Sequence, residues 1–309
     1  MTEKDNHIVE EENKIKTDEG KVFYLKYINE DYKSSKGGNS SVFVLYESGS
    51  AEEYVIKISN YAKPNRKTPK KKIRRHGRFI NEITALYKIR EDEYLSGYVI
   101  RILFDGEIDF NGYLHPYYVM EKADTDLKEY ILNKSYEIDE QEKFKLCYDV
   151  LLAIKKLHHH GYYHRDIKPD NVLLFKEGTD EETTFRWKIG DLGLIAERDK
   201  DYDDLGEKIG PFGWVSPESM NKYLTEKYKL EFDCRIDDRS DVFQLGGLFW
   251  FIFNNNAPIG IIVKEDFNYG NKDLFDIIYT MLKYKKNTRF NLSDVEEFLM
   301  PICQKYGVA

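Results

Sequence analysis

Apolar residues alternate with polar ones from Val22 onward, and the alternation predicts strands over Val22–Ile28, Ser41–Tyr46 and Glu53–Ile58. Turn-rich Ser34–Asn39 and Glu47–Ala51 separate them. The period then lengthens: Phe79, Ile80, Ile83, Leu86 and Tyr87 recur at helical spacing and predict a helix over Gly77–Arg90. Two further strands are expected at Tyr98–Phe104 and Tyr117–Met120. Beyond about Ala123 the pattern is mostly helical. Asp139 and Glu142 form a capping-box signature for a helix reaching Leu157, with Phe144, Cys147, Leu151 and Ile154 as its buried stripe. The longest apolar run, Leu245–Phe253, reads as a buried helix following Asp241. Residues 1–20 are polar with almost no periodicity and are expected to be a mobile leader. The whole reads as an α+β chain: a small β-rich part with one main helix over 21–122, and a larger, mostly α-helical part over 123–309.

Composition narrows this picture. With 309 residues, 41% of them hydrophobic, the chain can bury one or two sizeable cores and has no room for a second enzyme domain. A formal net charge of -8 argues against a general nucleic-acid binder. The three cysteines, Cys147, Cys234 and Cys303, are far apart in sequence and suggest neither a disulfide framework nor a zinc site. No apolar run approaches membrane-spanning length and the first residues lack a signal-peptide pattern, so a cytoplasmic setting is expected.

Candidate chemistry concentrates in His164-Arg165-Asp166-Ile167-Lys168-Pro169-Asp170-Asn171 and in Asp191-Leu192-Gly193. Two carboxylates, an amide and a lysine at this spacing suit phosphoryl transfer, in which a protein mainly positions a hydroxyl and neutralises phosphate charge. From about Val22 to about Leu299 the chain resembles the eukaryotic-like serine/threonine protein kinases, as a bacterial-type variant with a degenerate glycine-rich loop. The bilobal kinase fold is what the resemblance implies. It also implies ATP and Mg2+ as cofactors, with Mn2+ as a substitute, and protein substrates as partners. Asp166 then orients the acceptor hydroxyl and takes its proton, Lys168 steadies the transferring group, and Asn171 and Asp191 hold metal. Tyr54-Val55-Ile56-Lys57 is similar to the strand bearing the phosphate-pairing lysine, and Phe79-Ile80-Asn81-Glu82-Ile83 to the helix bearing its glutamate. Ser216-Pro217-Glu218 stands where the family has Ala-Pro-Glu, with Arg289 as the partner of Glu218, and Asp241 resembles the aspartate bracing the catalytic loop. Met120-Glu121-Lys122-Ala123 resembles the hinge that reads adenine through main-chain groups of Glu121 and Ala123. Asp126 is assigned to the ribose and Leu173 to the adenine face.

The sequence also departs from that pattern. Aligned on Val42, the family's three loop glycines become Ser35, Gly37 and Ser40, with Gly38 adding flexibility. Val55 replaces an alanine against adenine, and Leu192 replaces a phenylalanine. Gly210-Pro211-Phe212-Gly213-Trp214 stands where serine/threonine kinases carry a substrate-receiving threonine, whereas Lys168 favours serine or threonine as acceptor. The rival readings are a pseudokinase or nucleotide-gated scaffold, kept open by the serine-bearing loop, and a small-molecule kinase. The second of these is disfavoured by Glu218 and Arg289.

Three local features call for separate readings. His158-His159-His160 is expected to be a solvated helix end, since consecutive side chains diverge. Lys63–Arg78 carries nine positive charges in sixteen residues and reads either as a charged loop or as a docking patch for an acidic partner or for the chain's own activation loop. Between Asp191 and Glu218 the only hydroxyls belong to Tyr202 and Ser216. The resemblance implies that Arg165 receives an activating phosphate from this stretch, and with no threonine there Asp199, Asp201, Asp203, Asp204 and Glu207 are the candidate carboxylates in its place, with phosphorylation at Tyr202 as the competing route.

Overall fold

The computed structural model describes residues 14–16, 20–28, 39–133, 138–178, 184–198, 200, 203, 206–225 and 232–308. They belong to two compact units, residues 1–92 with 100–122 and residues 93–99 with 123–309.

The first unit is built on a six-stranded antiparallel sheet. Its strands are β1 (Lys14–Lys16), β2 (Val22–Lys26), β3 (Ser40–Glu47), β4 (Glu53–Ser59), β5 (Ile102–Phe110) and β6 (Tyr113–Glu121), in the spatial order β1-β2-β3-β4-β6-β5. Alternate residues face a core of Ile15, Phe23, Leu25, Leu45, Ile56, Ile58, Tyr117 and Val119. Ile15 is buried and β1 pairs with β2, so Lys14–Lys16 is a structured strand inside the stretch expected to be a leader. The β5–β6 hairpin is longer than the alternation indicated, because it continues through Asn111-Gly112. Both of those residues have left-handed φ, 54° and 81°, the conformation that an Asn-Gly hairpin turn supplies at little strain.

Among the described residues the one helix of this unit is α1 (Lys70–Arg90), which buries Phe79, Glu82, Ile83, Leu86 and Ile89 along one face. It starts seven residues before the predicted start at Gly77. Lys70, Lys71 and Lys72 are exposed, so these turns touch no core and carry no hydrophobic period, although lysine and arginine are good helix formers. The charge run is accordingly a helix from Lys70 on, rather than a loop throughout. Lys63 pairs with Glu107 at 3.1 Å, and Arg75 bonds Asn39 and Tyr61.

The second unit is mainly helical. Segment 93–99 joins it through a parallel bridge between Val99 and Ile189. Its small sheets use β7 (Thr125–Asp126), β8 (Tyr162–Tyr163), β9 (Val172–Glu177), β10 (Thr184–Ile189) and β11 (Ala196–Glu197), and its helices are α2 (Leu127–Leu132), α3 (Glu140–His159), α4 (Pro217–Leu224), α5 (Asp238–Asn254), α6 (Lys272–Met281) and α7 (Leu292–Lys305). Asp139 caps α3 by accepting the Glu142 N–H at 2.7 Å. The Glu142 carboxylate accepts from the Tyr130 hydroxyl instead of completing a capping box. Phe144, Cys147, Leu151 and Ile154 are fully buried, and Phe144 stacks on Tyr306 with ring centres 4.4 Å apart. α5 is buried around most of its circumference, as its continuous apolar run requires. Among the described residues no helix is long and apolar enough to cross a membrane.

His158 departs from the expected solvated helix end. It is buried, and its Nε2 lies 2.8 Å from Asp241 Oδ2, while His159 and His160 are exposed. Successive side chains do diverge, and only the first of the three turns inward.

Candidate active site

In the first unit, β4 presents Lys57 and α1 presents Glu82, and their charged atoms meet at 2.8 Å with both residues buried. The Tyr118 hydroxyl donates to the same Glu82 oxygen at 2.9 Å, and its ring lies 5.8 Å below the lysine nitrogen. A buried carboxylate with two donors is fixed in position, and so is the cation it holds. Around Lys57 the sheet register places Val42 opposite Lys57, Val55 opposite Met120, and buried Ser40 opposite Ser59. The Glu121 N–H donates to the Arg101 carbonyl at 3.2 Å, and the Glu121 side chain accepts the Arg101 N–H. Ser35, Gly37 and Gly38 lie outside the described residues.

The second unit gathers the remaining groups. β8 leads into the segment 164–171, which ends in a single 3-10 turn at Pro169–Asn171. Its backbone is held by two buried polar residues of α5. Asp241 accepts the N–H groups of His164 and Arg165, each at 2.7 Å. Gln244, one helical turn further, accepts the Ile167 N–H and donates to the Arg165 carbonyl, both at 3.0 Å. Burial alone would push the Asp241 carboxyl up; the hydrogen bond and charge of His158 and the donors of the loop outweigh it and hold the carboxyl low. These bonds keep Arg165 at φ 72°, a left-handed conformation that a side-chain-bearing residue adopts only under constraint. Neither Gln244 nor His158 was singled out as a site residue from sequence. The available signal is two polar positions three residues apart, Asp241 and Gln244, the second directly before the apolar run Leu245–Phe253.

Asp166 is buried, with Oδ2 accepting from Lys168 Nζ at 3.1 Å and from Asn171 Nδ2 at 3.0 Å. Its Oδ1 is buried without a hydrogen-bond partner among the described residues. Burial, moderated by Lys168 and reinforced by the charge of Asp191, pushes its carboxyl up to about 6. Burial lowers the His164 imidazole, which leaves it neutral at pH 7; its Nδ1 accepts the Asp166 N–H and its Nε2 faces the Gly190 carbonyl at 3.2 Å.

Asp191 also has a left-handed backbone, φ 51°, and receives the Gly193 N–H at 3.3 Å. Gly190 ties it to Asn171 through a 2.8 Å main-chain bond. A β-carbon at Gly190 would lie 2.6 Å from Leu173 Cδ1, so no larger residue fits there without displacing that leucine. Asp126 caps α2, accepting the Glu129 N–H at 2.8 Å, so one of its oxygens already has a local role. Ala123 precedes β7.

Among the described residues no three His, Cys, Asp or Glu side chains gather to hold a metal ion. Asp191 supplies one carboxylate. Asn171 donates from its nitrogen to both the main-chain oxygen and Oδ2 of Asp166, which leaves its Oδ1 as the acceptor. One carboxylate and one amide oxygen fit an ion whose other ligands are phosphate oxygens and water.

Glu218 of α4 and Arg289 are paired at 2.9 Å with the arginine fully enclosed. Arg165 reaches Asp203, and this pair too is buried.

Residues 31–305 match the family described as protein kinase domain. Among curated proteins the chain is similar to the MAP kinase-interacting serine/threonine-protein kinase mnk-1 of Caenorhabditis elegans, 27% identical over 79% of this chain and 32% of the relative. It is also similar to the probable serine/threonine-protein kinase iksA of Dictyostelium discoideum, 26% identical over 83% of this chain and 27% of the relative. A third relative, the dual specificity protein kinase TTK of Mus musculus, is 26% identical over 60% of this chain and 20% of the relative. The chain thus spans a third or less of the length of these relatives. A match over nearly its whole length, on a β-rich N-terminal part and a helical C-terminal part, assigns the chain to the protein kinase domain family.

Proposed function

We propose that the chain is an ATP- and Mg2+-dependent protein kinase that transfers the γ-phosphoryl group to serine or threonine hydroxyls. The observation that carries this reading is the half-satisfied carboxylate of Asp166. Lys168 and Asn171 hold one of its oxygens, and the other is a buried acceptor with no donor among the described residues. A buried acceptor of that kind costs stability unless something supplies a proton to it, and a substrate hydroxyl does so. Asp166 would orient that hydroxyl and receive its proton, with a carboxyl near 6 suited to proton acceptance at neutral pH. Lys168, 3.1 Å from Asp166, stands beside the site of transfer as a cation for the migrating phosphoryl group. Asn171 and Asp191 would hold magnesium, which supplies charge neutralisation at the phosphate oxygens when bound. Lys57, oriented by Glu82 and Tyr118, is the cation for the α- and β-phosphates. Met120, Glu121, Ala123, Val42, Val55 and Leu173 form the adenine-contacting set in this proposal, with Asp126 assigned to the ribose and Ser40 to the phosphate loop.

Lys168 favours serine and threonine over tyrosine. Similarity to a dual specificity kinase, together with Pro211 and Trp214, supports tyrosine as a second acceptor. The exposed Arg66, Lys67, Lys70, Lys71 and Lys72 are the proposed docking place for an acidic partner. Three unpaired thiols agree with a reducing cytoplasm. Incubation with labelled ATP, Mg2+ and a generic protein substrate, followed by phosphoamino-acid analysis, tests the reading. Label on serine and threonine supports it. Nucleotide binding without transfer to any protein would replace it with the scaffold reading.

A further inference from the structure

We propose that Arg75 is a positioning residue for the phosphate loop, holding the root of that loop to the helix that also aims Lys57. This role rests on the kinase reading above for its effect on nucleotide binding, and on one polar cluster at the end of β3 and β4 for its physical basis.

β3 begins at Ser40, directly after Asn39, and Asn39 is tied by both of its oxygens. Its main-chain carbonyl accepts the Asn60 N–H at 3.0 Å, and its side-chain Oδ1 accepts from Nη1 of Arg75 at 3.1 Å. The same Arg75 nitrogen donates to the Tyr61 hydroxyl, and the guanidinium lies 5.3 Å from the centre of the Tyr61 ring. His76, the next residue of α1, faces the Tyr61 carbonyl through Nδ1 at 3.2 Å. Ser41 donates to Asn60 Oδ1 at 3.0 Å, which closes the cluster across the two strands. Arg75 is half-buried, and its planar, permanently charged fork meets two oxygen acceptors and an aromatic ring. The point charge of a lysine cannot reproduce that arrangement.

Seven residues on, two turns along the same side of α1, Glu82 holds Lys57. One helix thus fixes both the cation for the α- and β-phosphates and the root of the loop assigned to cover them. Ser40 and Val42 share a face of β3, and Val42 stands opposite Lys57, so a displacement at Asn39 is passed along the strand to residues that face the nucleotide. The composition of the loop explains why such an anchor matters. Ser40 stands where the family has a glycine, and its β-carbon leaves the loop less freedom to adjust around phosphates, so the placement of the loop is set from outside it, by Arg75.

Calorimetric ATP binding and amide exchange, both on the full chain, test this role. Arg75→Ala should weaken ATP binding about five- to twenty-fold, the loss expected for one charge-assisted bond, and raise KM for ATP by the same factor while kcat falls less than about two-fold. Arg75→Lys should recover little of the loss. Asn39→Ala should reproduce most of it, and the double variant Arg75→Ala/Asn39→Ala should bind ATP about as well as the weaker single variant, because both changes break one contact. Lys71→Ala removes an exposed charge one turn earlier and should leave ATP affinity unchanged; an equal loss there would assign the effect to charge alone and overturn positioning. Independently of any nucleotide, amide exchange over residues 39–41 and at Asn60 should quicken in Arg75→Ala and not in Lys71→Ala. In a wild-type protein that binds ATP, unchanged exchange or unchanged affinity in Arg75→Ala, or single losses that multiply in the double variant, would overturn the role even if phosphoryl transfer is demonstrated. Quickened exchange in a protein that neither binds ATP nor transfers phosphate would keep Arg75 as the anchor of the loop root, and what fails is the kinase reading.

Discussion

The anchor at Glu218 and the loop at Asp166 both bury a carboxylate in the helical unit, and they treat it in opposite ways. Burial pushes each carboxyl up, but at Glu218 the hydrogen bonds and charge of Arg289 overcome that push and hold the group low. At Asp166 the donors are a lysine and an amide on one oxygen, and the group stays raised, at about 6. Arg289 itself is saturated: beyond Glu218 it donates to the carbonyls of Lys283, Tyr284 and Arg239. A saturated pair fastens two elements and does nothing else. An under-satisfied carboxylate is a cost that the fold retains, and such costs gather where chemistry occurs.

Removing the negative charge at each place is the sharpest way to break that comparison. Asp166→Asn should reduce turnover roughly 10²–10⁴-fold. Because the native carboxyl is destabilised by burial, the melting temperature of this variant should not fall; an active Asp166→Asn protein would remove the catalytic assignment. Glu218→Gln should act in the other direction, on stability, at a cost of about 3–5 kcal/mol for leaving Arg289 buried without its partner. Calorimetry reads that loss, and a variant as stable as the parent would contradict the saturated-anchor account.

The same pair predicts an acid limb. The folded Glu218 carboxyl lies below its ordinary 4.5, so its stabilisation is fully present above that pH and fades as pH falls through the depressed value. The gap in melting temperature between wild type and Glu218→Gln should therefore be constant near neutrality and narrow progressively below about pH 4.5. In the β-rich unit, Lys57→Met should slow transfer about 10²–10³-fold, comparable to losing one preorganised donor at a transition state, with a single-turnover assay as the measurement. The smallest effect is expected for Ser40→Gly. If the serine crowds the phosphate loop, ATP affinity should rise a few-fold while about 0.5–1 kcal/mol of strand stability is lost. An unchanged affinity by calorimetry would dismiss crowding.

Much of this architecture is legible in the residues because the candidate site is built from side chains. Asp166, Lys168, Asn171 and Asp191 are unusual residue types at fixed spacing, and the structure places Lys168 and Asn171 on one oxygen of Asp166. Groups carried by the main chain leave no such trace. At Glu121 the N–H is taken up by Arg101, a partner that nothing in the sequence announces. The start of α1 was missed because its first turns face solvent, where a helix has no hydrophobic period to display. The Asn111-Gly112 turn is legible from turn chemistry, whereas the length of its strands is not, since they become more exposed toward the turn. His158 could not be told from its neighbours, since its inward turn depends on Asp241, 83 residues away.

The three thiols have a practical consequence. Cys147 and Cys303 lie in α3 and α7 with no exposed surface, and burial raises both thiols, Cys303 to about 11. They are shielded twice, by exclusion of reagent and by retention of the proton, because only the thiolate attacks. Cys234 is partly exposed, its sulfur 3.8 Å from the Thr225 hydroxyl. A disulfide-exchanging dye should thus label one site promptly and two sites only when the helical unit opens, so the slow phase of labelling becomes a clock for global opening of that unit, read on the unmodified wild-type chain.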